Sequence, residues 1–406
     1  MKILTFVLCS FYGLQAYPQS TNFYGDILPI LNKYCLNCHN TNGHGAMDLS
    51  TYNRASSYAN MIYFAVNNRI MPPWKNENND NFLHQSRMNV EEIDLIKDWI
   101  DHGLKEGEFR DIAYNNAQPD SFDLVIPMKQ VFFPHYQKDF YDQVFVIELN
   151  NDSAYYVDKF RFIPGNSKIV RRCAVFIDTT SRSAELDKKD PKYGYSNNFG
   201  IAFDAFENYW FDWVPGTGVV SLPEGFYKLI PKNAKFLLKI TYTNYANELP
   251  DSSVLLLRTT KKNIHQVVSR KLIYPELLNK PFEIKPNQER YFKTSFLLES
   301  TISISSILPL SQAVCTSWSI KARDPETNET TSLLEVKNWD PHWIRRYYYK
   351  NSIKLKKGTI IEASASYNNT EDNENIIMKP TRHLLHGYGS RNEVFEVYFD
   401  IAELVD

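Results

Sequence analysis

The stretch CLNCH, residues 35–39, places two of the chain's five cysteines three positions apart, with a histidine directly after the second. Three chemistries use this arrangement: covalent attachment of a haem, half of a zinc site, and a disulfide within a loop. In haem attachment, the two thiols bind the two vinyl groups of one porphyrin edge and the adjacent histidine binds the iron. The choice among the three decides how the N-terminal part of the chain is expected to fold.

The sequence on both sides of this stretch favours haem attachment. Upstream, DILPILNKY (residues 26–34) has apolar residues at helical spacing, which predicts a helix leading into the cysteines. Downstream, NVEEIDLIKDWIDHG (residues 89–103) predicts a helix with Asn89 as N-cap, Glu92 in the first turn and Gly103 past its end. Zinc would need a second pair of ligands at similar spacing, and a redox disulfide would need a βαβ context. The sequence offers neither.

A second axial ligand is expected in NNRIMPPW, residues 67–74, because two prolines hold the chain extended after Met71. Other thioether or imidazole groups are alternatives in this part of the chain: Met47, Met61, Met88 and His44. The predicted site uses Cys35 and Cys38 to attach haem c, with His39 and Met71 as the axial ligands of the iron.

The composition and the N-terminus point to an exported protein. A formal net charge of −2 over 406 residues argues against nucleic acid as the main partner. Residues 1–16 carry one lysine, an apolar run that includes Cys9, and a small residue, Ala16, at a suitable cleavage position. We therefore expect a cleaved signal peptide and a periplasmic, extracellular or cell-surface location. No other apolar run is long enough to predict a transmembrane segment.

From about residue 118 the helical spacing gives way to short runs rich in β-branched and aromatic residues, such as YDQVFVIEL at 141–149. Turn signals such as PGN and PGTG separate these runs. Many short strands at regular spacing predict antiparallel sandwiches or jelly rolls, and the length suits two of them. Cys173 and Cys315 would then be buried thiols in different domains.

Residues 19–106 also resemble a cytochrome c-like family of exported bacterial proteins. The resemblance lies in four segments: Asp26 to His39, Asp48 to Tyr52, Met71 to Trp74, and Trp99 to Gly103. The expected fold class is therefore α + β multidomain. It comprises a signal peptide at 1–16, an all-α cytochrome c domain at 19–110, and jelly rolls at 118–281 and 282–406.

The chain from about Asp120 to its C-terminus resembles the copper type II, ascorbate-dependent monooxygenases, which include the peptidylglycine α-hydroxylating and dopamine β-hydroxylating enzymes. The segments that carry the resemblance are residues 161–178, 213–242, 309–312, 338–343, 356–375 and 387–394. The resemblance implies two jelly rolls, each of which binds one copper in that family. It also implies electron transfer from a cytochrome domain in the bacterial relatives that carry one.

The copper ligands implied by this resemblance are replaced. Arg171 and Arg172 stand for a His-His pair and Thr241 for a third histidine, while Leu310 and Gln312 stand for His-x-His and Val394 for methionine. Guanidinium, leucine and valine offer no donor to copper, and hydroxyl or amide groups are poor ligands for Cu(I). Copper is therefore not expected.

The sequence leads to three functional hypotheses. The first is an exported haem protein that transfers electrons to a partner protein and uses its copper-free domains for docking or ligand binding. The second is a structural or ligand-binding component of a larger extracytoplasmic complex. The third is an active copper monooxygenase with unrecognised ligands such as His342, His383 and His386. A small anion held by the two arginines is a further candidate ligand.

Overall fold

The structure, a computed structural model, describes residues 20–76, 81–110, 120–135, 140–196, 209–243, 248–376, 379–388 and 392–404. The predicted signal peptide, with Cys9 and Ala16, lies outside the described residues, as do the first two residues of the predicted first jelly roll.

Short helices form the N-terminal part. A π-helical turn (Phe23–Ile27) runs into α1 (Leu28–Tyr34), and Pro29 lies in the first turn of α1. Three helices follow: α2 (Tyr52–Ser57), α3 (Ala59–Asn67) and α4 (Val90–Asp101).

The predicted helix α4 is confirmed, together with its caps. The Asn89 side chain accepts from the Glu92 backbone N–H, and the Glu92 side chain accepts from the Asn89 backbone N–H, so both members of a capping box are present. Gly103 follows the helix with a φ of +83°, which a residue without a Cβ adopts easily. Trp99 and Ile96 of α4 are buried against the earlier helices.

The expected fold class is wrong. The structure is mostly β-sheet, with about 40% strand and 15% helix, and it has no large all-α N-terminal domain in the described residues. The N-terminal helices are 6 to 12 residues long. Such short helices depend on tertiary packing for stability, and the chain between α3 and α4 packs on the β-sheets, as shown below.

The first β-sandwich covers residues 124–266. Its strands are β1 (Leu124–Pro127), β2 (Tyr141–Glu148), β3 (Tyr155–Ile163), β4 (Val170–Asp178), β5 (Tyr195–Ser196), β6 (Tyr209–Trp213), β7 (Val220–Ser221), β8 (Phe226–Ile230), β9 (Lys235–Tyr242), β10 (Val254–Thr259) and β11 (His265–Gln266). One sheet has the order β1-β10-β3-β8-β11, with β7 paired to β3, and the other has the order β5-β2-β9-β4-β6. A helix, α5 (Arg182–Lys189), connects β4 to β5.

The second β-sandwich contains the remaining strands. They are β12 (Val268–Ile273), β13 (Glu283–Ile284), β14 (Gln288–Leu297), β15 (Ile302–Leu310), β16 (Cys315–Arg323), β17 (Thr330–Lys337), β18 (Tyr347–Leu355), β19 (Ile360–Asn369), β20 (Leu384–Leu385) and β21 (Glu396–Glu403). Its two main sheets have the orders β12-β21-β15-β18 and β14-β19-β16-β17, and β13 pairs with β20. Four consecutive strands of each main sheet follow the jelly-roll order, namely β1-β10-β3-β8 with β2-β9-β4-β6, and β12-β21-β15-β18 with β14-β19-β16-β17.

Burial along the strands follows the layering. In β19 buried and half-buried residues alternate strictly, because only one face of its sheet meets the core. In β15 eight consecutive residues are buried. Ile304 and Ile307 face the core of the second sandwich, whereas Leu308 packs against the first sandwich. The sheet that contains β15 therefore lies between the two sandwiches.

A buried ionic cluster crosses the seam between the sandwiches. Asp400 on β21 accepts from Lys228 Nζ on β8 at 3.1 Å and from Arg346 Nη1 at 3.0 Å, and all three side chains are at most 1% exposed. Burial opposes ionisation of Asp400, but Arg346 and Lys228 hold its pKa below the ordinary value. The neighbouring Tyr348 of β18 reaches into the core of the first sandwich.

The chain after α3 fastens the helices to the second sandwich. We call residues 74–76 and 81–84 the strap. Trp74 and Phe82 are buried in the core of the second sandwich. Asn76 pairs with Val336 of β17, and Phe82 pairs with Tyr349 of β18. Because β17 and β18 are edge strands of the two main sheets, the strap covers both edges.

We expect Phe82→Ala to destabilise the whole protein. Phe82 is fully buried and stacks on Tyr349 at a centroid distance of 4.7 Å, and truncation of a buried phenylalanine costs about 3 to 5 kcal/mol. The measurement is the free energy of unfolding in guanidinium chloride, followed by tryptophan fluorescence.

Phe64→Ala is the matched control, because Phe64 is 60% exposed on α3. It should change the unfolding free energy by no more than about 0.5 kcal/mol. Equal effects of the two substitutions would contradict the role assigned to the strap.

Candidate functional site

A cavity of about 400 Å³ lies between the N-terminal helices and the sandwiches. This volume falls in the range of small-molecule pockets, roughly 300 to 1,000 Å³. Its lining includes all four residues of the predicted haem site and one residue from each sandwich: Cys35, Cys38, His39, Met71, Arg171 and Trp343. Most of the remaining lining is apolar, with Leu49, Ile62, Ala65 and Val66 among it.

The His39 ring is held in one orientation by the loop that follows it. His39 Nδ1 lies 3.0 Å from the Met47 carbonyl oxygen. A carbonyl can only accept, so Nδ1 carries the proton and Nε2 keeps its lone pair. Gly45 packs against the same ring, where an added Cβ would lie 2.3 Å from His39 Nδ1. The loop therefore has room for glycine alone at this position and fixes the tautomer that a metal-binding histidine needs.

Cys35 and Cys38 are unbridged and half-buried. Burial raises the pKa of the Cys35 thiol to about 12. Burial also raises the pKa of Cys38, while the positive charges of Arg171 and Arg345 oppose that rise. Both groups are therefore protonated thiols at neutral pH.

Three methionines line the cavity: Met47, Met61 and Met71. The fourth candidate methionine for the sixth ligand, Met88, is 1% exposed and lies within the helical core. His44 also lines the cavity, but Nδ1 donates to the Ser167 carbonyl oxygen at 2.8 Å and Nε2 accepts from Arg171 Nη1. Burial, with a further contribution from Arg171, lowers the pKa of His44 to about 4. His44 is therefore neutral, and both of its ring nitrogens have partners.

Arg171 enters the cavity from a β-bulge. The pairing of β4 with β9 passes from Val170 opposite Tyr242 to Arg172 opposite Thr241, and Arg171 is the extra residue. Bulges bend a strand and change the direction of a side chain. The Arg171 guanidinium lies 5.2 Å from the centroid of the Trp343 ring, so the two sandwiches meet at this wall of the cavity.

The other two positions that the resemblance assigns to a first copper site, Arg172 and Thr241, form internal pairs. Arg172 Nε donates to Asp212 Oδ1 at 2.9 Å, and Arg172 Nη2 donates to the Tyr209 hydroxyl at 3.0 Å. Thr241 Oγ1 donates to Asp142 Oδ1 at 2.6 Å. The structure thus separates Arg171, which faces the cavity, from Arg172, which is paired with a carboxylate.

Two of the three positions that the resemblance assigns to a second copper site, Gln312 and Val394, donate backbone N–H groups to Glu393, which the sequence did not single out. Glu393 is 1% exposed and accepts from the backbone N–H groups of Val314, Val394 and Gln312. The Gln312 side chain donates to the Gly387 carbonyl oxygen, Val394 is buried, and Leu310 packs at the edge of the interface between the sandwiches. Burial raises the pKa of Glu393 to about 7.

The three histidines of the third hypothesis lie apart from the cavity, and each faces a different carboxylate. His342 Nδ1 is 3.2 Å from Asp340, His383 Nε2 is 3.4 Å from Glu283, and His386 Nε2 is 3.3 Å from Glu396.

Cys173 and Cys315 are buried in the cores of different sandwiches.

The classification of the whole chain as a metal-binding cytochrome c is wrong as a description of this structure. Most of the chain is β-sheet, and the described residues contain no group of three or more His, Cys, Asp or Glu side chains that could hold a metal ion. Covalent haem attachment relies on two thiols and axial ligands rather than on such a group, so it stays a prediction. Among the described residues, no helix is both long and apolar enough to cross a membrane.

Comparison with known proteins identifies no family for this chain. No family model matches the chain, and no curated protein matches it. The major capsid protein P2 of bacteriophage PM2 is 9% identical, with 70% of this chain and 98% of that chain covered and a TM-score of 0.24. The VP2 subviral particle of infectious bursal disease virus is 10% identical, with 70% and 80% covered and a TM-score of 0.17. The tandem CBM22 domain of Paenibacillus barcinonensis Xyn10C is 9% identical, with 71% and 99% covered and a TM-score of 0.15. Similarity this low supports no conclusion about fold or function.

The raised pKa of Glu393 predicts a specific pH dependence of stability. The unfolded carboxyl releases its proton near pH 4.5, whereas the folded one keeps it until about pH 7. Between these values the folded state binds more protons, so the contribution of Glu393 to stability falls as pH rises, by up to about 3 kcal/mol.

The measurement is the unfolding free energy of wild type minus that of Glu393→Gln, at pH 5 and at pH 8. Gln keeps the shape but does not titrate, so the other ionisable groups cancel in the difference. The difference should be lower at pH 8, and a difference independent of pH would show that the folded carboxyl titrates normally.

Proposed function

We propose that the cavity holds a haem c attached through Cys35 and Cys38, with His39 and Met71 as axial ligands, and that the chain is an exported electron carrier. The observation that supports this proposal is the meeting of these four side chains in one apolar cavity of about 400 Å³. The oriented His39 ring supports it further, since its Nδ1–H is directed to Met47 and its Nε2 is left as the donor atom.

When bound, the haem would supply a one-electron Fe(III)/Fe(II) couple. The chain's own residues set the conditions for that couple. The His39–Met47 hydrogen bond holds the imidazole as a ligand, and the Met71 thioether favours the ferrous state. Ile62, Ala65 and Val66 give the cavity an apolar wall, and an apolar shell lowers the access of solvent to a bound metal group.

The sandwiches serve, in this proposal, as a docking or ligand-binding module. The resemblance to the copper type II monooxygenases suggests an origin in an enzyme whose copper ligands have been replaced at Arg171, Arg172, Thr241, Leu310, Gln312 and Val394. The partner would be a redox protein outside the cytoplasm, in a larger complex or in transient contact.

A structural role is the second candidate, and one observation favours it. Arg171 and Trp343 of the sandwiches form part of the cavity wall, which limits access of a partner protein. The rate at which a small cytochrome reduces the purified protein would separate the two roles. Rapid reduction favours electron transfer, and slow reduction favours the structural role, because a shielded haem exchanges electrons slowly.

We expect purified protein to carry one covalently bound haem per chain with a low-spin spectrum. Replacement of both thiols by Cys35→Ala/Cys38→Ala should abolish covalent attachment, as read by haem staining after denaturing electrophoresis. Met71→Ala should open the sixth coordination position and lower the reduction potential, because the thioether stabilises Fe(II).

Met88→Ala is the control for Met71→Ala, since Met88 lies in the helical core outside the cavity lining. It should reduce stability but leave the low-spin spectrum unchanged. If Met71→Ala kept the wild-type spectrum and potential, Met47 and Met61 would become the candidates for the sixth ligand.

We expect essentially no tightly bound copper, even after incubation with excess Cu(II) and removal of loosely bound metal. The six positions offer no imidazole and no thioether. Val394→Met should not create a copper site, because a single thioether has negligible affinity. Stoichiometric copper by mass spectrometry, together with ascorbate-dependent oxygen consumption, would contradict the proposal and favour the monooxygenase hypothesis.

A further inference from the structure

Arg345 is a buried guanidinium beside the cavity. It lies between the 3-10 turn Pro341–Trp343 and β18, and it is 7% exposed. Its guanidinium carbon is 4.7 Å from the centroid of the Trp74 ring and 5.9 Å from that of Tyr347. The two rings meet edge to face, so the guanidinium packs against both of them.

Arg345 forms no hydrogen bond or ion pair within the part of the chain that the structure describes, and its Nε is buried without a partner. Burial lowers the pKa of its guanidinium. The next residue provides a contrast, since Arg346 is equally buried and donates to Asp400 at 3.0 Å. A buried charge without a counter-charge is strongly unfavourable, so an anion is expected at Arg345 in the working protein.

The described carboxylate within electrostatic reach of Arg345 is Asp212, which is paired with another cation. Asp212 Oδ1 accepts from Arg172 Nε and from the Tyr209 hydroxyl, while Asp212 Oδ2 is buried without a hydrogen-bond partner. Asp400 pairs with both Arg346 and Lys228. Among the described residues around Asp212 and Asp400, buried or half-buried cations therefore outnumber carboxylates. The cations are Arg172, Lys228, Arg345 and Arg346.

Three neighbours place Arg345 next to the cavity. Trp343, two residues earlier, lines the cavity, and Trp74 directly follows the lining residue Pro73. The Cys38 thiol, which also lines the cavity, lies within electrostatic reach of both Arg345 and Arg171. Arg345 itself is not part of the lining, and it therefore lies directly behind the wall that the helices share with the sandwiches.

We propose that Arg345, reinforced by the charge of Arg171, forms a binding site for a carboxylate at the wall of this cavity. A guanidinium binds a carboxylate through two parallel N–H···O bonds, and burial strengthens the pair. The carboxylate has two sources. It belongs to a haem propionate, in which case the site rests on the proposed function, or to a free small carboxylate, in which case it does not.

The first experiment tests the haem source. Covalent haem content is measured first in full-length wild type, Arg345→Gln and Arg270→Gln. Arg270 is an exposed arginine on β12 of the same sandwich, and its substitution makes the same charge change. Resonance Raman spectra then report the propionate bending band, which responds to hydrogen bonding. We expect the band to shift in Arg345→Gln and to stay at the wild-type position in Arg270→Gln.

The second experiment tests the free source. Sodium acetate is titrated into wild-type protein and both variants in a calorimeter at constant ionic strength, with sodium chloride as the ionic control. If the carboxylate is a free ligand, acetate binds wild type and Arg270→Gln; if a haem propionate occupies Arg345, acetate binds neither. Its affinity for Arg345→Gln should fall roughly tenfold or more, since a hydrogen-bonded charge pair is lost.

A shifted Raman band assigns the carboxylate to the haem, and acetate binding that needs Arg345 assigns it to a free ligand. An unshifted band together with no acetate binding by wild type overturns the proposal. If covalent haem is absent, the proposed function fails, while the acetate titration still decides the carboxylate site. If Arg345→Gln does not fold, Arg345→Lys replaces it, because lysine keeps the positive charge but lacks the two parallel N–H donors. The acetate titration of wild type needs no variant.

Discussion

The packing of Trp74 and Phe82 between the sheets of the second sandwich is the contact on which the arrangement of the molecule depends. The helices alone are short, and their stability comes from packing. With the strap fixed on β17 and β18, the segment before it, which carries Met71, is held against the cysteines and His39. The cavity is therefore a product of the attachment between helices and sheets rather than a property of the helices.

The walls of the cavity combine groups from three parts of the chain. The helices supply thiols, an imidazole and thioethers, the bulge in β4 supplies Arg171, and the turn before β18 supplies Trp343 and, next to the cavity, Arg345. The ionic cluster of Lys228, Asp400 and Arg346 holds the two sandwiches together.

The sequence indicated structural features correctly where these features depend on residues close together in the chain. The capping box of α4, its glycine C-terminus and the clustering of Cys35, Cys38 and His39 in one lining all follow from residues close in sequence. The expected large all-α domain failed because the pattern between α3 and α4 gave no sign that Trp74 and Phe82 belong to another core. Glu393 and Arg345 were missed for a related reason, since a charged residue in a sequence carries no mark of burial.

The sequence by itself determined which residue types lie together in CLNCH and indicated the helix α4 and many of the strands by their periodicity. These depend on residue identity and on spacing within a few turns or one strand. Only the tertiary structure decided that Arg171 faces the cavity while Arg172 binds Asp212, and that Arg345 is buried without a described counter-charge. The physical reason is that burial and pairing are set by contacts between residues far apart in the chain, such as Arg171 with His44 and Arg345 with Trp74.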